Sequence, residues 1–337
     1  MTVLVTGGAG YIGSHMVRAL VDAGESVVVI DNLSTGFSKF LPESVPLLIG
    51  DAADENLVEG AINSHRIESI IHCAGSIVAP ESMRDPLAYY RNNTMTTRSL
   101  LNAAVKCNIN RFIFSSTSAV YGNPDQMPVP ETAPTRPMSP YGSSKLMAEI
   151  MLHDVGAAHG MNYVVLRYFN VAGADPLVRI GLATVGATHL LKVAVEAATG
   201  QRAGIDVFGT DYPTPDGSCI RDFIHVSDLA QAHRAALSYL RNGGASTTLN
   251  CGYGRGYSVL ETIEAVRRVS RRNFAVQYAA RRPCDVMTMV ADTRRIRSTL
   301  DWAPQYDDID SIAAHALAWE EKLLRERSGE LRHTAAA

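Results

Sequence analysis

Cysteine is scarce in this sequence, and none of it falls in a paired motif. The chain has five cysteines among 337 residues, scattered along its length without a Cys-x-x-Cys spacing. This excludes a disulfide framework and a structural zinc site, and it is typical of proteins in a reducing compartment. The ten histidines show no ligand spacing either, so we predict no metal site.

The sequence also lacks a strong charge bias and a long apolar run. Its net charge is -3, and 46% of its residues are hydrophobic. We therefore expect neither nucleic acid nor an anionic membrane as a partner, and no stretch is apolar for long enough to cross a bilayer. A strand-like run begins at Val3 and leaves no room for a signal peptide, so we expect a cytoplasmic location.

Short β-branched runs alternate with helix-like stretches through the first half of the chain. The strand-like runs are residues 3–6, 27–30, 47–50, 69–72, 111–115 and 163–167. Helical periodicity lies between several of them, as at residues 14–23 and 94–107. This alternation predicts an α/β fold with a doubly wound parallel sheet. The pattern loosens after about Gly173, so we predict a first domain at residues 1–173 and a smaller α/β lobe at residues 174–337, from which some segments return to the first domain.

Residues 3–13 read as a strand, a glycine turn and the start of a helix. Gly7 permits the tight turn, Gly10 lets the backbone approach a pyrophosphate, and Gly13 lets helix and strand pack closely. The free N–H groups and the dipole of a helix N-terminus attract anions. We therefore predict that the diphosphate of a dinucleotide lies over the start of this helix, at Tyr11 and Ile12.

An acidic residue, Asp31, ends the second predicted strand. Its carboxylate can accept hydrogen bonds from the adenosine ribose and would repel a 2′-phosphate, so we predict NAD rather than NADP as the cofactor. Asn32 follows it directly and is a further candidate for this site. Asp51 and Ala52 come after the third predicted strand, and we predict Asp51 to contact the adenine.

Tyr141 and Lys145 are four residues apart, which places them on one face of a helix. Tyrosine has an unperturbed pKa of about 10, and a nearby ammonium group lowers that pKa because it favours the phenolate. Next to a dinucleotide site, the pair therefore predicts a catalytic base. Thr117 lies in a hydroxyl-rich run at the end of another predicted strand, where such folds place their sites, and its hydroxyl can hold a substrate oxygen as charge develops.

The glycine loop, the hydroxyl at a strand end and the Tyr-x-x-x-Lys pair, in this order, resemble the extended short-chain dehydrogenase/reductase superfamily. Within it, the sequence resembles the UDP-glucose 4-epimerase family from Thr2 to about Asp301. The stretches that carry this closer resemblance are residues 80–82, 89–93, 166–173, 208–217 and 221–226. The resemblance implies a Rossmann-type first domain that binds NAD, a smaller lobe that binds a UDP-sugar, and commonly a homodimer.

The resemblance also implies roles for particular residues. At the cofactor, besides Tyr141 and Lys145, it places Ala74, Asn93 and Tyr168. At the UDP and the sugar it places Asn170, Arg221, Arg282 and Asp285, with His189 and Leu190 beside the uridine. The two arginines are the local cations that an acidic chain needs in order to bind a diphosphate.

Three positions depart from the pattern of this family. The usual catalytic serine falls at Thr117, which keeps the hydroxyl and adds a methyl group. Many members have a lysine where this chain has Ile77, so one cationic contact near the cofactor is in question. The residue that the family uses as a gate on the sugar's 2-substituent is Met289, whose flexible side chain leaves the acceptance of N-acetylated sugars open.

The resemblance to this family implies the reversible 4-epimerisation of UDP-glucose and UDP-galactose. Tyr141 would take the proton of the 4-hydroxyl while Thr117 hydrogen-bonds that oxygen, and hydride would move from C4 to NAD and back. A 4-epimerase of UDP-N-acetylhexosamines, UDP-pentoses or UDP-uronates would use the same residues and stays an alternative. A sugar-nucleotide dehydratase would need an acid and a base where this chain has Ser118 and Ala119. A non-catalytic NAD sensor would not need Tyr141, Lys145 and a hydroxyl together.

Overall fold

The computed structural model describes residues 1–282 and 285–334, so the last three residues of the predicted second lobe lie outside it. Its strands, in chain order, are β1 (Thr2–Thr6), β2 (Ser26–Asp31), β3 (Leu47–Ile49), β4 (Ile67–His72), β5 (Arg111–Thr117), β6 (Asn162–Tyr168), β7 (Asn170–Ala172), β8 (Gly204–Phe208), β9 (Ile220–His225), β10 (Thr247–Cys251), β11 (Gly256–Ser258), β12 (Ala275–Ala279) and β13 (Thr288–Met289). Every strand predicted from the sequence falls on one of the first six.

The helices cover the faces of the sheets. In chain order they are α1 (Tyr11–Asp22), α2 (Glu55–His65), α3 (Ala79–Ser82), α4 (Pro86–Tyr89), α5 (Thr96–Lys106), α6 (Pro140–His159), α7 (Leu190–Ala198), α8 (Val226–Arg241), α9 (Val259–Ser270), α10 (Arg294–Thr299) and α11 (Ile309–Thr334). A π-helical segment, Tyr90–Met95, joins α4 to α5. Within the described residues, none of these helices combines the length and the apolar character that a membrane span requires.

Seven strands form one parallel sheet in the order β10-β6-β5-β4-β1-β2-β3. Helices cover both of its faces, so its central strands are apolar on both sides: Val3, Leu4 and Val5 are all fully buried in β1. This is why the strands appear in the sequence as continuous apolar runs rather than as alternations. The order of the first six strands is that of the doubly wound dinucleotide-binding fold, and the predicted fold class is confirmed.

The second half of the chain contributes to this sheet and also builds smaller ones. β10 pairs in parallel with β6, so that Leu249 lies beside Leu166, and α8 packs against α1, β5 and β6. A four-stranded sheet forms around β9, which pairs with β7, β11 and β13. β8 and β12 form a separate parallel pair, and α7, α9 and α11 pack against one another.

Candidate active site

The glycine turn between β1 and α1 leaves no space for a side chain at Gly7 or at Gly13. Gly7 has a φ of +72°, and a Cβ there would lie 2.6 Å from the backbone nitrogen of Ala74. A Cβ on Gly13 would lie 2.0 Å from the carbonyl oxygen of Gly7. Glycine is therefore required at both positions, at Gly7 by its left-handed backbone and at Gly13 by the close approach of helix and turn.

The N-terminus of α1 fits a diphosphate. Its cap residue is Gly10, which has no side chain to bond the first N–H groups of the helix, and these remain available to an anion. Ile12 packs against the core, while the Tyr11 hydroxyl donates to the carbonyl oxygen of Gly173 at 2.7 Å. The contacts of Ile12 and Tyr11 thus fix the backbone of the predicted dinucleotide loop against the protein core.

Asp31 lies beside this loop at the end of β2. Its carboxylate accepts hydrogen bonds from the backbone N–H of Ala9, at 2.9 Å, and of Leu33, at 2.8 Å. Gly50 N donates to the carbonyl oxygen of Asp31, so the loop with Asp51 and Ala52 begins next to it. Asn32 and Asp51 are exposed and Ala52 is buried. A carboxylate held by two amides still has lone pairs for ribose hydroxyls, so this corner fits the adenosine end of NAD.

Tyr141 lies in the first turn of α6, which Ser139 caps by accepting a hydrogen bond from Gly142 N. The phenol is buried beside the Thr117 hydroxyl at the end of β5. Burial raises the pKa of Tyr141, and the Thr117 hydroxyl opposes that shift. The predicted lowering of this pKa is therefore wrong in net direction for the protein's own groups, because burial outweighs the opposing effect of the Thr117 hydroxyl.

Lys145 follows one helical turn later, as predicted, and points into the same buried region. Its ammonium group donates to the carbonyl oxygen of Ser115 at 2.9 Å and lies 4.8 Å from the centre of the Phe114 ring. Burial lowers the pKa of Lys145 to about 8. A Cβ on Gly75 would come within 3.4 Å of the ammonium nitrogen, so the loop after β4 closes over the lysine.

Asn93 ties that loop to α6. Its side-chain oxygen accepts from Ser76 N at 2.7 Å, and its amide nitrogen donates to the Ser76 carbonyl and, at 2.9 Å, to the Ser144 hydroxyl. Ser144 in turn donates to the carbonyl oxygen of Tyr141. Sequence reasoning missed Ser144 and the Ser115 carbonyl, although both lie inside the motifs that it quoted. Tyr168 is buried in β6 and pairs in register with Thr117, while Ala74 lies against Gly7.

The predicted substrate residues gather around β9. Arg221 pairs in register with Met289 of β13, and its guanidinium lies 3.4 Å from the Asp285 carboxylate. Met289 is buried in a cluster with Val120, Tyr121, Val129, Phe169 and Ala291. This cluster includes residues of the 3-10 turn that follows Thr117, so the predicted sugar gate packs next to the catalytic strand end.

The other predicted substrate residues surround this group less closely. Asn170 begins β7, is exposed, and pairs in register with Phe223. The guanidinium of Arg282 lies 3.6 Å from the centre of the Phe208 ring. His189 and Leu190 lie at the start of α7, where the Nδ1 atom of His189 is buried without a hydrogen-bond partner. Among the described residues, no hydrogen bond or ion pair joins His189 or Arg282 to Arg221.

A family model described as the NAD dependent epimerase/dehydratase family matches residues 3–252. The chain belongs to this family. It is 54% identical to a UDP-glucose 4-epimerase of Azospirillum brasilense, over 95% of this chain and 92% of that one. The predicted resemblance to UDP-glucose 4-epimerases is thereby confirmed.

Solved structures of the epimerase/dehydratase family share the architecture. UDP-glucose 4-epimerase from Brucella ovis in complex with NAD is 40% identical, with a TM-score of 0.91 over 94% of this chain and 97% of that one. The enzyme from Bifidobacterium longum in complex with NAD+ and UDP is 36% identical, with a TM-score of 0.91 over 96% and 98%. In the present chain, Ile77, which stands where many members of the family have a lysine, is exposed.

Proposed function

We propose that this protein catalyses the reversible 4-epimerisation of UDP-glucose and UDP-galactose with bound NAD as its hydride carrier. The observation that carries the proposal is the juxtaposition of the buried Tyr141 phenol and the Thr117 hydroxyl at a strand end, one helical turn from Lys145, together with the turn before α1 that requires glycine at Gly7 and Gly13. Bound NAD would supply a reversible hydride acceptor for C4 and the positive charge of its oxidised nicotinamide.

Side chains of the protein transfer the proton of the 4-hydroxyl and stabilise the charge that develops on its oxygen. Tyr141 takes the proton of the 4-hydroxyl and later gives it back, while Thr117 hydrogen-bonds the same oxygen. Because burial raises the pKa of Tyr141, the phenolate needs positive charge nearby to form at neutral pH. Lys145, with its pKa lowered to about 8, is still mostly protonated at pH 7 and supplies that charge.

The smaller lobe, residues 174–337, is proposed to hold the UDP. Arg221 and Arg282 would bind the diphosphate, with Asp285 orienting Arg221, and His189 and Leu190 would line the uridine. Inversion at C4 requires the hexose to turn over between the two hydride transfers. The enzyme therefore benefits from a firm hold on the UDP and a loose hold on the hexose, rather than from uniformly tight binding.

The function is tested by incubating the purified protein, with no NAD added, with UDP-galactose and separately with UDP-N-acetylgalactosamine, and by resolving the products. We expect UDP-glucose from the first substrate, which would also show that NAD copurifies. If neither substrate is converted, even after NAD is supplied, the proposed function is wrong, and UDP-pentoses and UDP-uronates become the next substrates to test.

Met289 is expected to limit the size of the sugar's 2-substituent. Replacing it by alanine removes buried side-chain volume next to the catalytic strand end, so kcat/KM for UDP-N-acetylgalactosamine relative to UDP-galactose should rise about tenfold. Met161 offers a matched control, because it is a buried methionine in a different core cluster. A Met161→Ala variant should lose stability by a similar amount, ~2–5 kcal/mol, without a change in this ratio. An unchanged ratio in Met289→Ala would contradict the gate assignment.

We further propose a cytoplasmic homodimer. Exposed apolar side chains lie on elements that contact one another around α6: Met83, Leu87, Met95, Met147 and Ile150. An exposed apolar patch of this kind is typical of an interface between protein chains. Sedimentation equilibrium tests the proposal, and a monomer mass at all concentrations would refute it.

A further inference from the structure

His72 is a buried histidine that the proposed mechanism does not use. It is the last residue of β4. Its Nδ1 lies 2.7 Å from the Thr6 hydroxyl at the end of β1, and its Nε2 lies 3.0 Å from the Thr97 hydroxyl in α5. The ring stacks on Phe114 with their centres 5.6 Å apart. Both nitrogens are thus engaged by hydroxyls from two different elements.

The direction of each of these hydrogen bonds follows from the bond that Thr97 makes to Asn93. Thr97 donates its single hydroxyl hydrogen to the carbonyl oxygen of Asn93 at 2.7 Å, so it must accept from His72 Nε2–H. Burial, with a smaller effect of Lys145, lowers the pKa of His72 to about 3. The ring is therefore neutral at pH 7, and its Nδ1 accepts from Thr6. The hydrogen bonds therefore all run in one direction, from Thr6 through His72 and Thr97 to Asn93.

The two ends of this series of hydrogen bonds, Thr6 and Asn93, each lie next to a different part of the candidate site. Thr6 precedes Gly7, and its carbonyl oxygen accepts from Cys73 N. Asn93 lies in the π-helical segment, and its side chain bonds both Ser76 and Ser144. π-helical turns are rare and frequently lie at functional sites. The Thr97 bond gives the Asn93 carbonyl a fixed side-chain partner within such a turn.

We infer that His72 and Thr97 are positioning residues that hold the π-helical segment in place. Through Asn93, this segment keeps the loop at Ser76 and the first turns of α6, at Ser144, in a fixed position relative to the glycine turn. The inference rests on the proposed function for its activity readout. Among the described residues, no hydrogen bond joins the side chain of His72 or Thr97 to Tyr141, Thr117 or Arg221. Their loss should therefore lower kcat and the fraction of protein that retains NAD, and leave KM for UDP-galactose nearly unchanged.

Thr97→Val is the sharpest test, because valine has nearly the same shape as threonine and lacks only the hydroxyl. We expect kcat to fall roughly ten- to a hundredfold, as for a small misplacement of catalytic groups, with less NAD released per mole of protein on heat denaturation. Thr97→Ser keeps the hydroxyl and should restore both values. His72→Phe removes both hydrogen bonds from the other side and should give the same pattern as Thr97→Val.

Thr262 provides the matched control. It is a buried helical threonine whose hydroxyl donates to the carbonyl oxygen of Ser258, four residues earlier, at 2.8 Å. Thr262→Val removes the same kind of bond outside the site, so it should affect only thermal stability. If Thr97→Val kept wild-type kcat and NAD content, or if Thr262→Val lost them equally, the inference would be overturned. NAD content is measured without substrate, so it tests the inference even if the proposed epimerase activity fails.

Discussion

Replacing Tyr141 by phenylalanine should lower kcat for UDP-galactose by roughly a hundred- to ten-thousandfold, the usual contribution of a general acid–base group. The aromatic ring stays, and with it the edge-to-face contact with Tyr89, whose ring centre is 6.4 Å away. The fold and the bound NAD should therefore be retained. Steady-state kinetics and the absorbance of released cofactor measure the two quantities separately.

Tyr253→Phe is the matched control for this variant. Tyr253 is also buried, and its hydroxyl bonds the backbone N–H of His225 and the Asp228 carboxylate. Removing that hydroxyl breaks two hydrogen bonds, one of them to a carboxylate, and should lower the melting temperature because each lost bond costs about 0.5–3 kcal/mol of stability. We expect kcat to stay within a few-fold of wild type. Near-normal turnover in Tyr141→Phe would show that Tyr141 is not the acid–base group, and the interpretation of the Tyr141–Lys145 pair as a catalytic base would be wrong.

Replacing Gly13 by alanine should give a protein that holds no NAD and has no measurable activity until a large excess of cofactor is added. The new Cβ would lie 2.0 Å from the Gly7 carbonyl oxygen and 2.8 Å from the Gly8 Cα. Both are backbone atoms, so α1 or the turn itself must move, and the N–H groups aimed at the diphosphate move with it. NAD content after purification, and the affinity for added NAD, measure the effect.

Gly60 in α2 shows what a glycine-to-alanine change does without a clash. A Cβ there would meet no atom within 4 Å, and alanine favours a helix by about 0.5–1 kcal/mol over glycine. Gly60→Ala should thus be slightly more stable than wild type, with unchanged NAD content. A Gly13→Ala enzyme that purified with a full complement of NAD would contradict the role assigned to the glycine turn.

The features that could be predicted from the sequence are local. β1 and β2 have continuous apolar centres, and the glycine spacing predicts the turn before α1, so a few neighbouring residues were enough to predict both the strands and the turn. The Tyr141–Lys145 geometry follows from helical periodicity alone. The smaller sheet around β9 was missed because the three strands that pair with β9 are only two or three residues long and its pairs, such as Arg221 with Met289, join distant parts of the chain.

Burial and polarity inside the site could not be predicted in the same way. The direction of the Tyr141 pKa depends on how deeply the phenol is buried, and that depth is a property of the packed structure. The π-helical segment before α5 has no sequence signal that distinguishes it from an ordinary helix. The bond from Lys145 to Ser115 uses a backbone carbonyl, which every residue has, so no residue type in the sequence indicates it.

The place of β10 in the main sheet has a consequence for synthesis on the ribosome. β10 covers the outer edge of β6, and α8 packs on the face formed by β5 and β6, yet both are encoded after residue 225. Until Cys251 has emerged, the nascent chain exposes an unpaired parallel strand edge and an apolar face, which favour aggregation. A fragment ending at residue 173 lacks both elements, so we expect it to leave the β6 edge and the apolar face under α8 exposed and to aggregate more readily than the full chain.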